Sequence, residues 1–489
     1  MRYFLNTLTI NPTMKTFFNY FLPVFLVVST ALTHAQEVRV WSLEDCVDHA
    51  IENNLRIQQQ KLGVDIADEN LRQTRSLRFP NLNSNVTHSY NYGRTLDPLT
   101  NEFATERVQS NNFSISSGVT LFSGFQIRNS VQRDRYDLEA SRLDVETMVN
   151  DISLAVASAY LQILFAGELV EVAANQLDIT RQQVERTAKL VEAGTLARGS
   201  LLTIQAQEAS EELQLVNAEN QLRLAYLDLM QLLDLRDDGT FEIEMPDIEI
   251  IPSGTVEYSP LQIYDTAVQI QPNILSADMR VESAKKDHDI ARGGRSPVLS
   301  MSGSMGTGYS EARLEVSEII ELDPQLIGQT ASGEAVFGPS FAFETQVIPF
   351  WDQIDENINR SIGFFLRIPI FNNYQVRASI GRSQIAVENA RLQRQIARDQ
   401  LYKTIEQAHQ DAHAALQRYT ATEKNVQALE EAFRYTEQRF NVGMVNTIEY
   451  NDAKNRLTAA QSELLQSKYE YMFRVQILDF YLGRPITLR

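Results

Sequence analysis

KLVEAGTLARGSLL, residues 189–202, sets one glycine between two arms otherwise almost free of helix breakers. No proline occurs from Leu99 to Met245, and between Phe125 and Arg236 the only glycines are Gly167, Gly194 and Gly199. Glycine and proline interrupt helices most strongly, so this spacing predicts two long helices meeting near Gly194. The same layout recurs around RFNVGMVNTIEYNDA, residues 439–453. There no proline occurs from Ile370 to Arg484, and the only glycines between Tyr374 and Leu482 are Gly381 and Gly443. The first arms, about 125–192 and 374–441, would each extend ~100 Å at 1.5 Å per residue, too long to fold back into a globule. In the second arm-pair Ile405, Ala408, Ala412, Ala415, Tyr419, Val426, Leu429, Phe433 and Phe440 follow the three-four spacing of a narrow coiled-coil seam. Flanking alanines, among them Ala386, Ala390, Ala397 and Ala421, allow close approach on a second face. A helix with two seams suits a ring of helices better than an isolated pair.

Outward from the hairpins the chain proves to be a tandem repeat. A shift of 249 residues pairs Phe122 with Phe371, Gln126 with Gln375, Arg133 with Arg382, Gly194 with Gly443 and Leu229 with Leu478. A shift of 217 pairs Ala50 with Ala267, Ile57 with Ile274, Arg75 with Arg292 and Pro80 with Pro297. The two shifts differ by 32 residues, all of which fall between Leu299 and Phe371 as one insertion.

Before each hairpin the period changes from helical to alternating. Leu82, Val86, Tyr90 and Tyr92 alternate with Asn81, Asn83, Asn85, Thr87 and Asn91; Phe113, Ile115, Val119 and Leu121 alternate with polar neighbours. The second half repeats this with Leu299, Met301, Met305 and Tyr309, then Ile362, Phe364, Leu366, Ile368 and Ile370. These read as two strand pairs with one apolar and one polar face, compatible with a half-buried soluble sheet or with lipid. Strand lengths near the ~9–11 residues of a tilted membrane strand, tyrosines near the strand ends and a secretory signal favour lipid. Polar connections, 93–110 and about 310–359, read as external loops.

That signal is the apolar run Phe17 to Leu32, preceded by Lys15 and followed by Thr33-His34-Ala35. Cleavage is expected after Ala35, with Met14 the better translation start. Beyond it no run is expected to reach transmembrane-helix length, so membrane entry would be by strands. With 63 acidic against 44 basic residues, a net charge of −19 and no basic run, a nucleic-acid partner is excluded. The single cysteine, Cys46, excludes an internal disulfide and reads as a small apolar core residue. His409 and His413 lie four apart, but Gln410 stands where a zinc protease needs glutamate and no third ligand is evident. Gly303, Gly306 and Gly308 sit in an alternating strand rather than before a helix, so they do not form a nucleotide loop. Neither catalysis, a metal nor a cofactor is expected.

The order helix, strand, strand, long helix, helix, twice over behind a signal peptide, resembles the TolC-like outer-membrane efflux proteins from Trp41 to Arg489. The strand-to-helix junctions GVTLFSGFQIR (118–128) and LRIPIFNNYQVR (366–377), with the two hairpin tips, carry the likeness. The resemblance implies a mixed α/β membrane protein of the Gram-negative outer membrane. It would be a homotrimer, with a twelve-stranded β-barrel continued by a long periplasmic α-helical barrel. The units are then the signal peptide (1–35), helices (36–78), strand pair (79–122) and hairpin (123–236). An equatorial linker (237–261), helices (262–295), strand pair (296–371), hairpin (372–484) and tail (485–489) follow.

It further implies a passive exit duct whose tips dock a periplasmic adaptor protein, with export driven by an inner-membrane transporter. The docking turns fall on Gly194 and Thr195, and on Val442, Gly443 and Met444; each glycine also reads simply as a helix C-terminal cap. A periplasmic gate falls on Glu449 and Asp452, with Phe440 where the family has a tyrosine and Val445 where it has an arginine. Two solvated acids at a helix N-terminus are the plainer reading of that pair. Ser200 holds the first-half position matching Glu449. A soluble periplasmic coiled-coil adaptor or scaffold is the alternative; it leaves the alternating strands unexplained.

Overall fold

The computed structural model describes residues 40–93, 95–96, 103–104, 107–236, 241–245 and 258–484. The signal peptide, most of the equatorial linker, much of the first external loop and the tail 485–489 lie outside these. In chain order the elements are β1 (Val40–Trp41), α1 (Leu43–Asn53), α2 (Leu55–Ser76), β2 (Asn81–Asn91), β3 (Thr95–Leu96), β4 (Phe103–Ala104) and β5 (Val108–Phe122). The first hairpin follows as α3 (Gln126–Glu192) and α4 (Arg198–Leu233), then β6 (Glu242–Ile243), α5 (Pro260–Ile270), α6 (Pro272–Gly293) and β7 (Val298–Ser310). Last come β8 (Leu314–Gln329), β9 (Ala335–Val347), α7 (Phe350–Glu356), β10 (Asn359–Arg367), α8 (Gln375–Asn441) and α9 (Thr447–Tyr481).

The sequence repeat is a structural repeat. Helices α3 and α8 are each 67 residues long and start and stop 249 positions apart. The two hydrophobic cores obey the same offsets. Cys46, Ala50, Ile57, Ile152, Val156 and Leu229 of the first core stand where Ile263, Ala267, Ile274, Leu401, Ile405 and Leu478 stand in the second. Each core therefore locks one short helix pair onto the middle of one long hairpin. Cys46 is fully buried, and burial pushes its thiol up to about 12, with Asp45 adding to the effect. One stretch of α3 is apolar enough by composition to cross a membrane, contrary to the expectation that no run would be. Its Ile152, Val156, Tyr160, Ile163 and Leu164 are instead core residues, and the Tyr160 hydroxyl donates to the Glu244 carbonyl at 2.6 Å.

The strands of the two halves form one antiparallel sheet in the order β10-β7-β5-β2. Its register puts Leu82, Val86, Phe113, Ile115, Val119, Met301, Met305, Ile362, Phe364 and Leu366 on one face. Leu82, Val86, Ile362, Phe364 and Leu366 are each more than half exposed in the single chain. The other face carries Asn83, Asn85, Ser114, Ser116, Ser302, Ser304 and Ser361. Strand β10 stops at Arg367, so Ile368 and Ile370, expected within it, lie beyond its end. The helices continue the sheet's order, α8 packing on α6, α6 on α3 and α3 on α2.

The connection between β7 and β10 differs from the polar loop expected over about 310–359. It holds the two-stranded hairpin β8–β9 and the short helix α7. All three register shifts of that hairpin are extra residues on β8, at 317, at 323–324 and at 327. They break the alternation by which a strand is recognised.

Where strand gives way to long helix, both halves use the same left-handed pair. Gly124 and Phe125 have φ of +62° and +63°, and Asn373 and Tyr374 have +51° and +66°. Gly124 also lies against the end of α6, where an added Cβ would meet the Gly293 carbonyl at 2.5 Å and the Ser296 side chain. Replacing Gly124 with alanine therefore combines a strained φ with a clash against backbone and is expected to cost about 1–3 kcal/mol. Gly199→Ala, in open space within a helix, should leave stability unchanged or slightly raised. Thermal unfolding of the two detergent-purified variants, followed by circular dichroism, checks the contrast.

Candidate functional site

Both hairpin tips end their first helix in the same Schellman turn. The Gly194 and Thr195 N–H groups donate to Val191 and Leu190 carbonyls at 3.0 Å. Gly443 donates to Phe440 at 3.0 Å and Met444 to Arg439 at 2.8 Å. Gly194 and Gly443 have φ of +74° and +77° with nothing near a would-be Cβ, so conformation alone calls for glycine there. The second tip is the more apolar: Val442, Met444 and Ile448 are exposed at 70, 72 and 69 %.

The tips differ at the return helix. Ala197, before α4, has no capping side chain, whereas Asn446 Oδ1 accepts the Glu449 N–H at 2.9 Å and caps α9. Glu449 and Asp452 stand three apart on α9 with exposed carboxylates. Arg439, in the last turn of α8, lies 3.6 Å from Glu449 across the tip. Arg456 lies 3.0 Å from Asp452. Both pairs are more than half exposed, which keeps their energetic weight small. Phe440 stacks on Tyr450 with ring centres 4.5 Å apart. Tyr450 is fully buried, and burial pushes its phenol up to about 12, the Glu437 and Glu211 charges adding to the effect. The three expected gate residues thus share one turn region with a rigid aromatic floor.

Two turns above the tip, sequence reading missed a buried ionic cluster that joins the hairpins. Lys454 of α9 reaches Glu211 of α4 at 3.4 Å, donates to the Gln176 carbonyl of α3 at 2.9 Å and bonds Thr180. Glu211 also accepts from Gln207 Nε2 at 2.9 Å and from the Thr180 hydroxyl. Both charged side chains are at most 3 % exposed. Burial lowers the Lys454 pKa, and Glu211 pulls against that shift. Arg186 donates to Asn441 Oδ1 at 2.7 Å, Gln207 to Asn455 Oδ1 at 2.8 Å and the Tyr469 hydroxyl to Glu168, so further polar links tie the second hairpin to the first. Lysine and glutamate separated by 243 positions leave no pattern in the chain. Removing one buried partner strands the other's charge, so Lys454→Met is expected to cost about 3–5 kcal/mol, and Glu211→Leu in the same chain to restore most of it. Thermal unfolding of both single variants and the double variant measures this.

The family described as Outer membrane efflux protein matches residues 46–234 and 263–484. The outer membrane efflux protein BepC of Brucella suis is 23% identical over 448 residues, spanning 91% of this chain and 86% of that protein. The outer membrane protein TolC of Vibrio cholerae is 22% identical over 466 residues, spanning 94% and 95%. The crystal structure of the outer membrane protein VceC from Vibrio cholerae shares the fold, with a TM-score of 0.70 and 17% identity over 91% of this chain and 97% of that one. With the two matched segments spanning both structural repeats, the chain belongs to the outer membrane efflux protein family.

Proposed function

We propose that three copies of this chain close into one outer-membrane duct: a twelve-stranded barrel in lipid, continued by a helical barrel through the periplasm. The observation that carries this reading is that the chain has two open sides at every level. Among the described residues, strands β2 and β10 are paired on one side only. The helices that continue them carry unpartnered seams at heptad spacing, Leu55, Leu62 and Ile66 on α2 and Ile385, Leu392 and Ile396 on α8. Unpaired strand edges in lipid cost several kcal/mol per group, so four strands cannot remain alone there. Pairing β10 and α8 of one copy with β2 and α2 of the next satisfies strands and helices by one rotation. The apolar sheet face then meets outer-membrane lipid and the serine and asparagine face lines the lumen.

The duct encodes no energy source, so it serves as the passive exit of a tripartite efflux or type I secretion assembly, driven by an inner-membrane transporter. A periplasmic adaptor docks on the tips, at Gly194 and Thr195 and at Val442, Gly443 and Met444, where exposed apolar side chains crown tight turns. Glu449 and Asp452 form the periplasmic gate as three-fold carboxylate rings over Phe440. Arg439 and Arg456 lie beside these acids as exposed, readily exchanged partners.

Cell fractionation should place the protein in the outer membrane as a detergent-extracted trimer; a periplasmic monomer would overturn the duct. In planar bilayers, replacing both Glu449 and Asp452 with alanine should raise single-channel conductance or abolish block by divalent cations. Unchanged conductance and block would reject the gate while leaving the duct standing.

A further inference from the structure

The hairpin β8–β9 touches almost nothing of its own chain. Every residue of β8 is exposed, and among the described residues β9 is the only element packed along it. Its register is nevertheless that of a two-faced ribbon. Leu314, Val316, Ile319 and Leu326 share a face with Phe337, Phe341, Phe343 and Val347, together with Glu321 and Thr345. The opposite face carries Glu315, Glu318, Glu344 and Gln346 toward its base, and Ile320 and Leu322 beside Ala342 and Ser340 farther out. The bulges on β8 bring Leu314, Val316, Ile319 and Leu326 into step with the phenylalanines of β9. An isolated two-stranded hairpin is marginal in water, and one with a bare aromatic face is an association site.

The root of the hairpin is rigid and lies beside the open edge of the sheet. After β9, Phe350 of α7 packs on Tyr309 and Phe113, with ring centres 5.3 and 6.4 Å away, on the apolar face of the sheet. Gln353 is fully buried, accepting from the Ser310 N–H at 2.9 Å and donating to the Ser310 carbonyl at 3.0 Å. The chain then enters β10, the strand that the next copy must complete. Charge narrows the occupant further. Neither β8 nor β9 contains lysine, arginine or histidine. Ribbons or helices that lie on anionic lipid are rich in basic residues, so this acidic ribbon is ill suited to the outer leaflet. Copies meeting through their apolar faces would instead keep the acidic faces apart and in water.

We propose that the apolar face of β8–β9 is an external interface between copies of this chain, the three ribbons packing on one another and on their neighbours' external segments to form a collar over the mouth of the duct. The collar is where the 32-residue insertion of the second half is spent. This rests on the trimeric reading above.

Thiol accessibility tests it, because native Cys46 is fully buried. Phe343→Cys and Phe337→Cys place a thiol on the apolar face, and Glu344→Cys places one on the acidic face. In purified detergent-solubilised trimers, maleimide should label positions 343 and 337 at least about 10-fold more slowly than position 344. A short bis-maleimide should link chains through position 343 or 337. Equal labelling in an intact trimer overturns the collar alone, as does slow labelling without links between chains, which would point to lipid or detergent on that face. Protection seen only on whole cells would mean a foreign surface partner and overturns it too. A monomer in the same preparation overturns both the collar and the trimeric duct.

Discussion

Strand β2 has a hydrogen-bonded neighbour on one side and so has β10, and the rest of the molecule is organised around those two unsatisfied edges. In lipid no water can bond the exposed N–H and C=O groups, so the edges must find strands elsewhere. Because α2 leads into β2 and α8 follows β10, the helical layer inherits the same open sides, each with its own apolar seam. Duplication makes this possible at low informational cost. One helix pair, one strand pair and one hairpin, used twice with the same core positions, yield a sheet and a helical layer that run in the same order. The junctions demand special backbone, the left-handed pairs at Gly124-Phe125 and Asn373-Tyr374 that turn each strand into its long helix.

At the far end the physics is different. The tips of this outer-membrane efflux protein sit in water, where exposed ion pairs such as Arg439 with Glu449 are worth little and exchange easily. Behind them Lys454 and Glu211 are buried together, with Gln176, Thr180 and Gln207 completing their hydrogen bonds. Such a cluster adds little net stability over an apolar one, but it tolerates no partial separation, since either charge left alone is heavily penalised. Weak pairs at the rim and a buried link behind it are compatible with the gate proposed at Glu449 and Asp452.

Much of the fold was legible because its signals are local and periodic. Single glycines at 194 and 443, absent prolines and three-four spacing bounded the hairpins, and constant offsets exposed the repeat. The alternation of Leu82, Val86 and Tyr90 with asparagines named the two faces before any pairing was known. The ribbon β8–β9 was not legible because bulges at 317, 323–324 and 327 scramble its period, leaving residues that read as a polar connection. The apolar stretch of α3 met the composition of a membrane span because a core helix buried on several sides looks the same in a linear sequence. At the tips, Gly194 and Gly443 were legible as helix breaks and have positive φ, whereas Glu449 and Asp452 were singled out only by the family resemblance. The Lys454 and Glu211 cluster was invisible, since it depends on how the hairpins lie against each other, and the Arg439 contact depends on how the two arms of one hairpin meet across its tip; no spacing rule encodes either.

The central claim, that the edges of one chain's sheet are closed by other copies, is tested most directly by an electron cryomicroscopy map of the protein in lipid nanodiscs. The account predicts three chains per particle, with β10 of each hydrogen-bonded antiparallel to β2 of the next and α8 lying against the neighbour's α2. A map in which β2 and β10 are unpaired, or are paired with each other within one chain, would contradict it.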